Sequence, residues 1–194
     1  MLRKISLGLA GALIVLVIFV ATRPDTFHLE RSTRINAPAD VVFAQVNDFK
    51  NWDAWSPWAK LDPNMTKTLG GAPSGVGATY AWSGNKEVGE GHMAIIDSKP
   101  NERIAVKLEF VKPFAGTNVA TFTFVPQGSA TNVTWAMDGA RNFLGKAIGL
   151  LVSVDAFLGP QFEQGLAQMK TASEARMDRR QGLAPGPPPA SPPA

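Results

Sequence analysis

The chain has 194 residues, 45% of them hydrophobic and 18% charged, with a formal net charge of +3, the composition of a globular domain with appendages. So small a positive excess gives no case for a nucleic-acid surface, because much of it sits near the ends, at Arg3, Lys4, Arg23, Arg176, Arg179 and Arg180. There is no cysteine, hence no disulfide framework, no thiolate nucleophile and no cysteine metal site.

Residues 5–22, "ISLGLAGALIVLVIFVAT", run without a charge between Lys4 and Arg23. As a helix these eighteen residues would reach roughly 27 Å, close to the hydrocarbon thickness of a bilayer. The segment has no polar face, so residues 1–23 are expected to be a single-pass membrane anchor. A cleaved secretory signal is the alternative, with Phe19 a poor fit three positions before a cut after Ala21. Arg3, Lys4 and the terminal amine predict an inside N-terminus, and so a C-terminal domain on the periplasmic or extracellular side of the membrane. At the other end, "GLAPGPPPASPPA" lies within the Pro-rich tail 178–194, which has no periodic apolar face to bury. A domain over 24–177 remains.

Within it, "FHLERSTRI" (27–35) alternates, with Phe27, Leu29 and Ile35 on one side and His28, Glu30, Ser32 and Arg34 on the other, which predicts a half-buried strand. "NAPADVVFAQVNDF" follows as a short amphipathic helix entered through Asn36, with Pro38 in its first turn. The next stretch holds Trp52, Trp55 and Trp58, interrupted by Pro57, and reads as a short helix plus loop. After the turn-rich "LGGAPSGVG" the period becomes two. One face collects Tyr80 and Trp82, then Gly91, Met93 and Ile95, then Ile104, Val106, Leu108 and Phe110. Two later strands add Ala120, Phe122 and Phe124, and Val133, Trp135 and Met137. Six strands of a curved antiparallel sheet are expected. From Asp155 the period returns to 3.6, with Leu158, Phe162, Leu166 and Met169 along one stripe, which predicts a long amphipathic helix bent near Gly159-Pro160 and packed on the concave side of the sheet.

The order strand, short helices, five strands, long terminal helix is that of the helix-grip fold, an α+β architecture. The stretches "ERSTRINAPADVVFAQVNDFKNWDAWSPW", "WSGNKEVGEGHMAI", "RIAVKLEFVKPF", "VTWAMDG" and "GPQFEQGLAQMK" resemble the START-like SRPBCC superfamily, in particular its polyketide cyclase/dehydrase-like branch. The resemblance implies a START/Bet v 1-like sheet wrapped around the terminal helix, with an apolar cavity between them. It carries no cyclase chemistry by itself, since one fold hosts many functions.

On that footing Trp52 is expected in the core, and Trp55 and Trp58 at the rim or wall of the cavity. Tyr80, Trp82, Met93, Ile95, Phe110, Phe124, Trp135, Met137, Phe162 and Leu166 would complete its lining. Asp53, between tryptophans, is the best lone acid/base candidate, because apolar surroundings would raise its pKa; a cap or turn acid is the competing role. His28 and His92 fall on the polar faces of their strands. Two histidines without a cysteine or close carboxylate pair make a weak zinc site, and no metal or cofactor is expected. Ser56, His92 and Asp97 could be assembled into a triad only on paper, because no nucleophile elbow is present. The glycines of "LGGAPSGVGATY" form no phosphate loop. The function expected is a membrane-anchored binding domain for a small hydrophobic ligand such as a lipid, isoprenoid or aromatic metabolite. The alternatives are a cyclase- or hydrolase-type enzyme using Asp53 or Tyr80, and a chaperone-like partner of an envelope protein.

Overall fold

The computed structural model describes residues 2–150 and 153–182, with side chains from Gly8 onward. A helix α1 (Leu2–Ala21) precedes strand β1 (Thr26–Ile35), helix α2 (Ala39–Asn47), a 3-10 helix (Phe49–Ala54) and the single turn α3 (Trp58–Leu61). Strands β2 (Thr66–Gly71), β3 (Ala78–Ser83), β4 (Glu90–Lys99), β5 (Arg103–Lys112), β6 (Gly116–Gln127) and β7 (Ala130–Ala140) follow, then α4 (Phe143–Ile148) and α5 (Val154–Arg180).

The strands form one antiparallel sheet of seven in the order β1-β7-β6-β5-β4-β3-β2, and with the long C-terminal helix this is the helix-grip arrangement. The alternation in each strand fixes the register, because a slip of one residue would turn every apolar side chain outward. Across the inward face run rows such as Tyr80–Met93–Leu108–Asn118–Gly139–Phe27, Ile95–Val106–Ala120–Met137–Leu29 and Ile104–Phe122–Trp135–Arg31. A bulge after Ile95 shifts the β4–β5 register and leaves Ile96 exposed. α5 lies on β1, α2 and the 3-10 helix, burying Phe162, Gly165, Leu166, Met169 and Ser173.

Four expectations are corrected. The sheet has a seventh strand, β2, where none was expected, ending inside the turn-rich "LGGAPSGVG". α4 lies where no element was expected. α5 continues to Arg180 with Pro160 inside it, so the chain is still helical beyond residue 177; residues 183–194 of the Pro-rich tail lie outside the described residues. The fourth concerns the membrane anchor over 5–22. Among the described residues no helix is long and apolar enough to cross a membrane. The single-pass topology and the placement of the domain beyond a membrane rested on that anchor, and they fall with it. The end of α1 is fastened to the domain: the buried Lys146 of α4 donates from Nζ to the Ala21 carbonyl at 3.2 Å and pairs with Asp25.

Candidate functional site

The tryptophan segment is held by the backbone of α2, the helix before it. Asp48 caps the 3-10 helix by accepting from the Lys50 amide, and the indole N–H groups of Trp52 and Trp55 donate to the carbonyls of Val46 and Gln45 at 2.9 and 3.0 Å. Each indole thereby buries its rings while satisfying its only donor. Trp52 lies in the core. Trp55, expected at the rim, is fully buried with 0% exposure: its N–H reaches back to α2, and that draws the ring inward. Trp58 is half-buried.

Asp53 is also placed differently from expectation. Its side chain is 62% exposed and accepts from Lys67 Nζ of β2 at 2.6 Å. On a 3-10 helix, neighbours of the buried Trp52 and Trp55 point away from the core, so Asp53 meets water and a cation rather than apolar walls.

Between α5 and the β6–β7 part of the sheet the interior is an aromatic stack. Phe122 lies on Trp135 with centroids 5.1 Å apart at 24°, and Trp135 on Phe162 at 4.0 Å and 16°. Trp55 and Trp58 meet Trp135 edge-on at 5.6 and 5.8 Å. Gly165 permits this stack: a Cβ there would stand 2.7 Å from Trp135 Cζ3 and 3.2 Å from Pro57 Cδ. Phe124 packs edge-on against Phe43 at 5.5 Å, and Ile95, Met137 and Leu166 are buried beside these rings. This half of the expected lining forms packed core.

The other half is less covered. Tyr80 and Met93 are buried, but Trp82, Leu108 and Phe110 of the same face are half-buried, because α5 packs chiefly on β1, α2 and the 3-10 helix. Trp82 donates to the Val88 carbonyl at 3.1 Å and meets Phe110 edge-on at 5.7 Å. Its ring lies over Gly91, where a Cβ would come within 2.6 Å of it. The strip runs toward the end of the sheet where β5 turns into β6 and β7 leads to α4. The same end carries the exposed side chains of Phe114, Phe143, Leu144, Ile148 and Phe157.

Titratable groups on the inward face are few. Burial, with the Asp53 charge adding to it, pushes the Tyr80 hydroxyl up to about 12, so the group is a neutral donor at ordinary pH. Arg31 of β1 bonds Glu163 and Asp155 of α5 at 2.8 and 2.6 Å, and Lys67 of β2 pairs with Asp53. Each cation sits at one edge of the sheet and ties down the element covering it. Both were missed from sequence, although position 31 shares the parity of Leu29 and Ile35. His28 and His92 lie exposed on the outer face, bonded to Asp138 and Glu109 at 2.7 and 3.1 Å. The Asp138 hydrogen bond raises the His28 pKa. Two shallow clefts lie away from the stack: one of about 190 Å³ between Phe49 and the β2–β3 hairpin, another of about 440 Å³ beside Phe27 and His28.

The fold is shared with solved structures. Protein CV1439 from Chromobacterium violaceum is 17% identical, with 78% of this chain and 99% of that one covered and a TM-score of 0.52. Ara h 8.0201 is 10% identical over 78% of this chain and 97% of its own, with a TM-score of 0.52. The di-domain ARO/CYC BexL from the BE-7585A biosynthetic pathway is 18% identical over 90% of this chain and 59% of its own, with a TM-score of 0.55. At these identities the likeness is one of fold. No curated protein matches the chain. The family described as polyketide cyclase / dehydrase and lipid transport matches residues 26–174, from the first residue of β1 to well within α5, and the chain belongs to that family.

Proposed function

We propose that this chain binds a small hydrophobic molecule, a lipid, isoprenoid or aromatic metabolite, against the uncovered strip Trp82–Leu108–Phe110 and the apolar end of the grip. The observation that carries the reading is that these large inward side chains of β3 and β5 remain half-buried while α5 covers the opposite side of the sheet. A family that includes lipid transport supports it. Because all three side chains are already half-buried, the strip itself offers on the order of 150 Å² of apolar surface, about 4 kcal/mol of gross burial. Micromolar affinity needs about 8 kcal/mol beyond the cost of association, so the exposed rings at the end of the grip must contribute along with the strip.

The test is titration of the full chain with N-phenyl-1-naphthylamine, followed by the dye's fluorescence. Saturable one-to-one binding is expected. Phe110→Asp weakens it about tenfold or more, while Thr79→Asp on the outer face of β3 leaves it unchanged, with circular dichroism confirming both folds. Absence of saturation, or equal loss in the two variants, refutes the proposal.

A further inference from the structure

The cations Arg31 and Lys67 at the edges of the inward face have carboxylate partners. Arg141, just past the end of β7, has none among the described residues. Its amide donates to the Asp25 carbonyl at 2.6 Å, which extends the β1–β7 ladder one pair beyond Thr26–Ala140. Position 141 therefore keeps the inward parity of Met137 and Gly139. Its half-buried guanidinium lies over the ring of Phe27, 5.6 Å from the centroid, while the Asp25 side chain is taken by Lys146. The uncovered strip ends at the same place. Trp82, Gly91, Phe110 and Gly116 are successive neighbours across β3, β4, β5 and β6. Asn118 faces Gly139, so two residues further along each strand Gly116 comes opposite position 141. Trp82 lies over Gly91, but nothing lies over Gly116: a Cβ built there meets no atom within 4 Å. An open gap thus separates Phe110 from Arg141 within one row of inward positions.

We infer that the gap over Gly116 receives the head of the guest, a carboxylate held by Arg141, while the apolar body lies along Phe110 and Trp82. The inference rests on the proposed binding of a hydrophobic molecule to the strip and adds the class of that molecule, a hydrophobic carboxylic acid. A planar guanidinium presents paired N–H donors that match the two oxygens of a carboxylate. A hydroxyl or an ether would leave the cation without a counter-charge. A phosphate monoester brings nearly two negative charges, and the other cations of this end, Lys112 and Lys146, are already engaged by Glu90 and Asp25. Phe27, Phe110 and Arg141 are all half-buried, so the gap lies at the rim. A carboxylate there keeps part of its hydration, which limits the cost of its burial. One row deeper, Asn118 lays its carboxamide oxygen where a Cβ of Gly139 would stand, and that acceptor repels an anion. The head therefore stops at Arg141.

The experiment follows displacement of N-phenyl-1-naphthylamine from the full chain by decanoate and by decan-1-ol, which share a tail and differ in charge. It is run at about pH 8, where the acid is ionised. A purely apolar strip prefers the alcohol, because the carboxylate is the costlier group to take from water. Arg141 reverses that order: decanoate is expected to displace the dye at the lower concentration. In Arg141→Gln the preference returns to the alcohol, and the ratio of the two midpoints changes at least about tenfold. Decan-1-ol displacing the dye as well as decanoate or better from the unmodified chain overturns the carboxylate site and spares the apolar reading. So does a ratio that Arg141→Gln leaves unmoved. Failure of the dye itself to bind overturns both. The order of the two probes on the unmodified chain decides even where the variant does not fold.

Discussion

Replacing Gly165 with alanine measures how completely the interior is filled. In a helix interior this substitution alone contributes about 1 kcal/mol of stability, since glycine is the poorer helix former. Here the new methyl group would stand 2.7 Å from Trp135 Cζ3, and the ring cannot retreat, lying between Phe122 and Phe162 at 5.1 and 4.0 Å. Overpacking of a filled core costs about 1–3 kcal/mol, so the net result is a loss of about 1 kcal/mol. Gly11→Ala in α1, where a Cβ would meet nothing within 4 Å, supplies the propensity effect without the clash. Urea unfolding followed by circular dichroism should give a lower midpoint for Gly165→Ala, an unchanged m-value, and no loss for Gly11→Ala. In the Trp135→Phe background, which lacks the obstructing atom, the cost of Gly165→Ala shrinks, and a double-mutant cycle reads that coupling. A Gly165→Ala protein as stable as the unmodified chain would refute the reasoning, because it would show that the stack has room to yield.

Trp55→Ala should cost about 3–5 kcal/mol in the same assay, the usual toll for a fully buried large aromatic, and Trp58→Ala markedly less. Tyr80, the only tyrosine in the chain, should ionise near pH 12 when followed by ultraviolet absorbance. Its folded pKa lies above the unfolded value, so its contribution to stability is full below about pH 10 and is lost as pH rises through 12; a midpoint near 10 would show the ring to be solvated. His28 should titrate above 6.5 by NMR and return toward it in Asp138→Asn. The stabilisation from that pair is complete below the unfolded pKa and fades as pH rises through the folded one.

Alternation and helical spacing carried most of the fold. The strands from β3 to β7 and the stripe Phe162–Leu166–Met169 were legible because each side chain is sorted by a single face. β2 was not: "TKTLGG" offers only Leu69 to an apolar pattern, and an edge strand can be solvated on nearly all sides. Arg31 was hidden by the opposite rule, because a cation on an inward parity violates the pattern and is tolerated only where α5 brings Asp155 and Glu163 to meet it. The tryptophan cluster was visible, but which rings close the core and which remain uncovered depends on backbone carbonyls supplied by α2, and no local pattern encodes those. Asp53 looked enclosed because its neighbours in sequence are tryptophans, yet on a 3-10 helix adjacency in sequence does not mean enclosure in space.

The Arg31 and Lys67 pairs are electrostatic and stand at the water boundary, whereas the rings between them are held by exclusion from water. Added sulfate therefore acts on the two in opposite senses, screening the fasteners while favouring burial of the rings. Ionic strength becomes a means of loosening the margins of the grip while its centre tightens, which separates ease of admission from strength of retention in one molecule.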